Sequence, residues 1–540
     1  MRSSRRSGLC PRFPTSATDL DEAGSSSGAW LRSAIGLVAL CGAVAGPARI
    51  SAQTIPEFTD TDRSARVAET AAVVESMFRA HAEREHLPGI AFGVVLDGDL
   101  VYSGAFGLAN LEQGIPASPR TLFRIASMSK SFTAMAILQL RDAGQLSLDD
   151  PASDYVPELA SLRLLTSDSP EITIRHLLTH SAGFQEDNPW GDRQLAESDE
   201  MLRELVAAGI SFSNAPGITY EYSNLGFALL GQIVESVTGR SLPEYTSSEI
   251  FAPLGMSSTV WEFDRAAAEE LARGYAWQDE AWVKVPLEHH GSFGAMGGLI
   301  TSIEDFSSYV ALHLSAWPPR SSPDTGPLRR SSLREMQQPW RFAGVMPDFR
   351  WPDGRSCPSA RAYGYGLRWQ EDCAGRVMVG HSGGLPGFGS NWVMLPDFGL
   401  AVISFDNRTY GGTSTINLAV ADTVLALTAL QPRRLAPTPI LNQRRDELVA
   451  YLPNWNGAEA AGAFAENFFM DNRASDLAAR VRSLFEQAGE IQAVGPVEPL
   501  NQLRGTFVLD GVRRDIEVYF TLSPEPEPKI QEVRTRLRPE

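Results

Sequence analysis

Lysine is scarce in this chain of 540 residues. Among its 47 lysine and arginine side chains, only Lys130, Lys284 and Lys529 are lysines. Arginine stays charged at any pH that a protein experiences, so it cannot act as an amine that accepts and returns a proton. A reaction that needs such an amine has few positions available here, which makes the surroundings of each lysine informative.

Positive charge is also the minority charge overall. The formal net charge is −18 and the sequence pI is about 5.0. An acidic surface repels nucleic acid phosphates and anionic lipid headgroups, so no nucleic acid partner is expected. The content of 43% hydrophobic and 21% charged residues is typical of a globular protein.

The chain has few cysteines. Of the four, Cys10 and Cys41 lie in the N-terminal segment, and Cys357 and Cys373 lie far along the chain. If the N-terminal segment is removed on export, Cys357 and Cys373 are the two cysteines that remain, which predicts a disulfide between them. The alternative is two unpaired thiols.

The N-terminal segment contains an apolar run that is too short to span a membrane. Residues 34–45 form this run, and it follows several arginines. Its length is that of the core of a signal peptide. We therefore expect residues 1–52 to direct export to the periplasm or the exterior, leaving no membrane span after their removal.

The rest of the chain divides into two parts. Residues 65–430 show a helix, strands, a long and mainly helical middle, more strands and a helix, which predicts one sheet with a helical insertion. Residues 431–439 (QPRRLAPTP) are typical of a linker. Residues 440–540 predict a small α+β domain of unknown role, with helical patterns at 458–470 and 474–488 before three strands at 491–497, 503–509 and 514–522.

The first lysine follows a serine by three positions, in Ser127-Met128-Ser129-Lys130 at the start of a helical pattern. Residues three apart share a helix face. A serine hydroxyl is a poor nucleophile until a base takes its proton, and lysine can be that base if its surroundings lower its pKa. The pattern is short enough to arise by chance, so it does not decide the function alone.

A second group is Tyr222-Ser223-Asn224, just before an apolar helix. Tyr222 could relay protons to a leaving group, and Asn224 could bind a substrate carbonyl and hold Lys130. The alternative is a tyrosine in a turn followed by a helix cap.

A third group, His381-Ser382-Gly383-Gly384, ends a predicted strand. Glycines there allow a substrate to lie against the strand, which makes His381 and Gly383 candidate substrate-binding residues. The N–H of Gly384, with that of Ser127, would form an oxyanion hole. The alternative is an ordinary glycine-rich loop.

In this order, Ser-x-x-Lys, Tyr-x-Asn and His-x-Gly resemble the three motifs of the class C β-lactamase and penicillin-binding-protein-like serine hydrolases, over roughly residues 65–430. The resemblance implies an α/β fold in which an antiparallel sheet is flanked by helices and carries a helical insertion. It implies acylation of Ser127, with Lys130 and Tyr222 sharing the base and acid roles in an order that stays open.

His176 and His180 have the spacing of a zinc pair but no evident third ligand, so neither a metal nor a cofactor is expected.

The third motif departs from the family pattern, because β-lactamases and transpeptidases usually carry lysine where this chain has His381. Histidine is mostly neutral near pH 7 and holds a substrate carboxylate less well. We therefore expect a serine hydrolase acting on an ester, amide or small peptide. The alternatives are a β-lactamase or D-Ala-D-Ala carboxypeptidase, and a non-catalytic cell-wall-sensing binding protein. The oligomeric state stays open.

Overall fold

The computed structural model describes residues 54–539. The predicted export segment 1–52, with Cys10 and Cys41, lies outside the described residues. Within residues 54–539, no helix is long and apolar enough to cross a membrane.

The described residues form eighteen strands and sixteen α-helices. In chain order the strands are β1 (Gly89–Leu96), β2 (Asp99–Asn110), β3 (Ile115–Pro116), β4 (Phe123–Arg124), β5 (Gly274–Gln278), β6 (Ala281–Val285), β7 (Ile300–Thr301), β8 (Arg341–Met346), β9 (Ser359–Tyr363), β10 (Arg368–Glu371), β11 (Val377–Leu385), β12 (Phe388–Leu395), β13 (Leu400–Asp406), β14 (Ile491–Val494), β15 (Glu498–Asn501), β16 (Arg504–Gly511), β17 (Ile516–Leu522) and β18 (Ile530–Leu537). The helices are α1 (Arg63–Ala68), α2 (Ala71–Arg84), α3 (Lys130–Asp142), α4 (Ile174–Leu178), α5 (Asn188–Gly191), α6 (Asp199–Ala208), α7 (Asn224–Thr238), α8 (Leu242–Thr246), α9 (Ala252–Leu254), α10 (Gly294–Gly297), α11 (Ile303–Ser315), α12 (Arg330–Met336), α13 (Thr413–Thr428), α14 (Pro439–Tyr451), α15 (Phe468–Asp471) and α16 (Ala474–Ala488).

The main sheet has nine strands in the order β3-β2-β1-β13-β12-β11-β10-β9-β8, with antiparallel neighbours. Its first three strands precede a long insertion, residues 117–340, and its other six follow it. Helices α3 to α12 lie in that insertion. This arrangement confirms the predicted fold class, an antiparallel sheet flanked by helices with a mainly helical insertion.

The centre of the sheet is covered on both faces, which explains why β1 and β13 are almost entirely apolar and buried. Along β1, Ile90, Phe92 and Val94 pack with the helices α2 and α13. The alternate residues Ala91 and Val95 belong to the core shared with the insertion. The strand therefore joins two hydrophobic layers, one on each face.

Strand β11 has a free edge that faces the insertion. Strand β10 pairs only with its first half, Val377–Gly380, whereas β12 pairs with it from Val379 to Leu385. Among the described residues, no strand pairs with the other edge of residues 381–385. Backbone groups there are open to a ligand lying alongside the strand.

The C-terminal residues surround a hydrophobic core of their own. A five-stranded sheet, β14 to β18, packs with α14 and α16. Its buried aromatic and aliphatic side chains include Leu441, Leu448, Trp455, Phe468, Phe507, Val518 and Phe520. The α+β content is as expected, and the predicted boundaries at 431–439 and 440–540 stay predictions.

Several details of this part differ from the prediction, including strand β15, which was not predicted. Helix α14 was not predicted, although Thr438 caps it and Pro439 suits its first turn. The pattern at 458–470 forms turns and the short helix α15 instead of a helix. Strand β18 was missed because its exposed positions carry the charged side chains of Arg534 and Arg536.

Cys357 and Cys373 are joined by a disulfide with 6.0 Å between their Cα atoms. Cys357 lies between β8 and β9, and Cys373 lies between β10 and β11. The bridge therefore links the connection between β8 and β9 to the turn between β10 and β11.

Replacing both cysteines by serine should lower stability. The bridge closes a loop with a sequence separation of 16 residues. A cross-link of that span restricts the unfolded chain, which is worth about 3 kcal/mol in the free energy of unfolding. Differential scanning fluorimetry should show a lower Tm for C357S/C373S. Reductant should lower the Tm of the parent protein and leave that of the variant unchanged; equal Tm values in both would contradict the prediction.

Candidate active site

Ser127 lies in a tight turn near the start of the insertion, directly before α3. The 3-10 turn Ala126–Ser129 leads directly into α3, and Ala126 adopts a left-handed backbone with φ 49°. The Ser129 hydroxyl fixes the turn, because it donates to the carbonyl of Ala126 at 2.7 Å and accepts from the N–H of Leu299 at 3.1 Å. The turn thus presents Ser127 at a fixed position.

Strand β11 packs directly against this turn. A Cβ on Gly383 would overlap the carbonyl oxygen of Ile125 and lie 3.0 Å from the Cβ of Ala126. The Ser390 hydroxyl donates to the same carbonyl of Ile125 at 2.7 Å. Gly383 is therefore needed for close packing of strand and turn. This contact brings Gly384 to the Ser127 turn; the oxyanion role of the two N–H groups stays a prediction.

Lys130 is fully buried and points at Ser127. Its Nζ lies 3.1 Å from Ser127 Oγ, 2.7 Å from Asn224 Oδ1 and 2.9 Å from the carbonyl of Met296. A neutral amine has two N–H donors, and the oxygens of Asn224 and Met296 accept a hydrogen bond from one each. Its lone pair is then left for the Ser127 hydroxyl. The geometry suits a base that accepts the serine proton.

The electrostatic environment favours the neutral amine. Burial lowers the pKa of Lys130 to about 7, and the carboxylates of Asp192 and Asp187 oppose this shift. The guanidinium of Arg368 lowers the pKa further. A substantial fraction of Lys130 is therefore uncharged near neutral pH, as a base requires.

Asn224 is held so that its carbonyl faces Lys130. It is the first residue of α7, whose N-terminal N–H groups are capped by Asp187: Asn224 N and Leu225 N donate to this carboxylate at 2.5 and 2.8 Å. The Asn224 Nδ2 donates to Asn188 Oδ1 at 3.2 Å, which fixes the amide. Asp187 was missed in the sequence, because it lies 37 residues before the helix that it caps.

Tyr222 is buried beside the same pair. The Lys130 Nζ lies 4.9 Å from the centre of its ring, and the His180 ring packs against it at 4.2 Å. Burial raises the pKa of Tyr222 well above its ordinary value, while Arg368 and a contact with the Ser127 hydroxyl act in the opposite direction. Tyr222 is therefore a neutral phenol near pH 7, able to donate a proton.

His381 is enclosed by protein groups. Its Nδ1 donates to the carbonyl of Ser382 at 2.6 Å, and its Nε2 accepts from the Tyr363 hydroxyl at 2.9 Å. Burial lowers the pKa of His381 well below its usual range. The ring is neutral and both of its nitrogens are engaged by protein groups; its substrate-binding role stays a prediction.

A positive charge next to the third motif comes instead from Arg368. This residue lies on β10 opposite Gly380, and its guanidinium carbon is 5.5 Å from the centre of the Tyr222 ring. The Arg368 side chain is exposed and lines a cavity of about 380 Å³. Arg361 and His381 are among the other residues that line this cavity. Sequence reasoning missed Arg368, since only strand pairing brings it beside the motif.

The two histidines with zinc-like spacing have other partners. The Nδ1 of His176 accepts from the N–H of Thr173 in the cap of α4, and the Nδ1 of His180 accepts from the N–H of Ser223. Among residues 54–539, no group of three or more His, Cys, Asp or Glu side chains is placed to hold a metal.

Comparison with protein families identifies the family of the chain. The family model described as Beta-lactamase matches residues 74–426. The chain belongs to the Beta-lactamase family. The match includes all three motifs, and this β-lactamase-family protein therefore has the serine hydrolase fold of that family.

Curated relatives share the central part of this family member. One is "Unguisins hydrolase ungD'" of Aspergillus campestris (strain IBT 28561), 29% identical over 339 residues, covering 61% of this chain and 60% of the relative. Another is "Protein flp" of Staphylococcus aureus (strain MRSA252), 26% identical over 341 residues, covering 62% and 63%. The chain thus spans less than two thirds of the length of these relatives.

Solved structures show the same fold. The octameric penicillin-binding protein homologue from Pyrococcus abyssi is 23% identical with a TM-score of 0.54, covering 86% of this chain and 99% of that one. A D-stereospecific amidohydrolase from Streptomyces sp. is 24% identical with a TM-score of 0.51, covering 64% and 96%.

The reactivity of Ser127 should rise with pH through about 7, because the Lys130 amine becomes neutral there. The rate of labelling by a fluorophosphonate, followed by mass spectrometry, measures this. Asp192→Asn removes a carboxylate that raises the pKa of Lys130, so the rise should move to lower pH. Asp168→Asn, which removes an exposed carboxylate, is the control. A pH-independent rate, or a shift to higher pH in Asp192→Asn, would contradict the assignment.

Proposed function

We propose that this protein is a serine hydrolase that works through an acyl-enzyme on Ser127 and cleaves an ester, amide or small peptide carbonyl. The observation that carries the proposal is the 3.1 Å contact between Ser127 Oγ and a buried Lys130 whose N–H donors are used by Asn224 and Met296. The hydrolase name of one curated relative supports the class of reaction.

In the acylation step, Ser127 Oγ forms a bond to the substrate carbonyl carbon and its proton passes to Lys130. The resulting oxyanion accepts hydrogen bonds from the N–H groups of Ser127 and Gly384. When the bond to the leaving group breaks, the Tyr222 phenol gives that group its proton and recovers one from Lys130. The raised pKa of Tyr222 favours this acid role and leaves the base role to Lys130.

In the deacylation step, water attacks the acyl carbon and gives up a proton to the Lys130 and Tyr222 pair. The ester bond to Ser127 Oγ breaks, and the proton returns to the serine. Acid and base roles are reversed between the two steps, so the same residues complete the cycle.

A non-catalytic binding protein on this fold is less consistent with the site. An amine with 0% exposure, to which residues 54–539 bring no carboxylate within salt-bridge distance, destabilises the fold when it is charged. Ligand binding alone does not require a buried amine without an ion-pair partner, whereas a general base requires its lowered pKa.

Ser127→Ala should abolish hydrolysis of p-nitrophenyl acetate, with a loss of at least about 10³-fold in kcat. Lys130→Arg is the matched variant, since it keeps the positive charge but cannot accept a proton, and it should be similarly inactive. Intact-mass spectrometry should find a fluorophosphonate adduct on the parent protein and none on Ser127→Ala. Unchanged turnover in either variant would contradict the proposed mechanism.

Arg368 favours a second candidate function, a carboxypeptidase that releases a C-terminal residue. The sequence argument against a carboxylate substrate rested on the neutral His381. The structure places the permanent charge of Arg368 at the Gly380 end of the free edge, beside that histidine. A leaving group that carries a carboxylate would meet this charge.

Arg368→Gln should lower kcat/KM for an acyl-D-Ala-D-Ala peptide by at least about tenfold, because it loses a charge-assisted contact. The C-terminal amide of the same peptide has no carboxylate and should be affected less than about threefold. Equal effects on both peptides, measured by release of D-alanine or its amide, would remove the case for a carboxylate site.

We also propose that the protein acts outside the cytoplasm. The disulfide between Cys357 and Cys373 supports this, since such bridges persist in oxidising compartments. The apolar run at 34–45 supports it independently.

A further inference from the structure

A tyrosine lies across the end of the cleft opposite Arg368. Tyr410 follows β13, and its ring rests on the backbone of Gly384, where an added Cβ would be 2.5 Å from the Cδ1 of Tyr410. The side chain is not part of the core, because 50% of it is exposed. The ring therefore covers the end of the strand that carries the proposed oxyanion donor.

The hydroxyl of Tyr410 reaches the insertion. It donates to Asp192 Oδ2 at 3.0 Å, joining residues that are 218 apart in the chain. Asp192 is only 3% exposed. It follows Gly191, which packs on Asn224 so closely that an added Cβ would lie 2.7 Å from the Asn224 Cβ. Both ends of this link are thus seated on residues of the site.

The segment that carries Tyr410 is built to hold this position. Tyr410 has φ 52° and Gly412 has φ 77°, both left-handed conformations. A Cβ on Gly411 would overlap the carboxylate of the buried Asp406, which also accepts from the N–H of Arg408 at 2.9 Å. The turn is anchored on the buried Asp406, so the Tyr410 ring is held over the strand while half of the residue stays exposed.

A substrate on the free edge of residues 381–385 extends in two directions from its reacting carbonyl. One direction leads to Gly380 and Arg368, and the other leads past Gly384 to Tyr410. We propose that Tyr410 and Asp192 form a crossbar that closes the acyl end of the cleft and restricts the enzyme to short acyl groups. This inference rests on the proposed acyl-enzyme function, and it names the part of the substrate that is selected.

The test compares p-nitrophenyl acetate with p-nitrophenyl hexanoate, which share a leaving group and differ in acyl length. Tyr410→Gly removes the crossbar and suits the left-handed backbone. It should raise the ratio of kcat/KM for hexanoate over acetate by about tenfold or more, mostly through a lower KM for hexanoate. Tyr410→Phe keeps the ring and loses only the hydrogen bond to Asp192, so its ratio should change less than about threefold.

Fluorophosphonate labelling of Ser127 in each variant establishes that the site is assembled. An unchanged ratio in a Tyr410→Gly protein that is labelled and hydrolyses acetate would overturn the crossbar and leave the proposed function standing. A parent protein that hydrolyses neither ester would overturn the proposed function, and the crossbar with it. A parent protein that already prefers hexanoate would overturn the crossbar alone.

Discussion

The burial of the Lys130 amine is the constraint on which the rest of the site depends. A charged ammonium buried away from bulk solvent is strongly disfavoured, so burial shifts the group toward its neutral form. The neutral form has two donors and one lone pair, and the two carbonyl oxygens around it leave that lone pair for Ser127. The orientation of Asn224, and through it Asp187, follows from the need to hold one of these oxygens in place.

The two halves of the cleft meet through close backbone packing. The turn of Ser127 belongs to the insertion side, and β11 belongs to the sheet; only a glycine at 383 lets the two approach. The end of β10 at Arg368 then determines where the free edge of β11 begins. The Arg368 guanidinium lies at one end of that edge and the Asp192 carboxylate lies near the other. The two ends of the cleft therefore carry opposite charges.

The fold class and the three motifs could be predicted from the sequence, because they depend on short-range patterns. Ser127 and Lys130 are three residues apart, and the hydrophobic pattern around them is that of a buried helix. Arg368, Asp187, Asp192 and Tyr410 could not be predicted, since each acquires its role through contacts between distant parts of the chain. His381 was singled out by its motif and its substrate-binding role stays a prediction, whereas its hydrogen bonds to Tyr363 and Ser382 are visible only once the strands are paired. The same reason applies to β18, whose strand character depends on its pairing with β17 and not on an apolar pattern.

The order of strands in the main sheet has a consequence for how the protein is made. Strand β1 pairs with β13. The backbone pairs between residues near position 90 and residues near position 406 can therefore form only after both have been synthesised. A ribosome delivers the chain from its N-terminus, and contacts between such distant residues form late because closing so long a loop is entropically unfavourable. Ser127 therefore emerges from the ribosome long before strand β11, which packs against its turn. A nascent chain that ends before β11 therefore carries the Ser127 motif without the strand that packs against its turn.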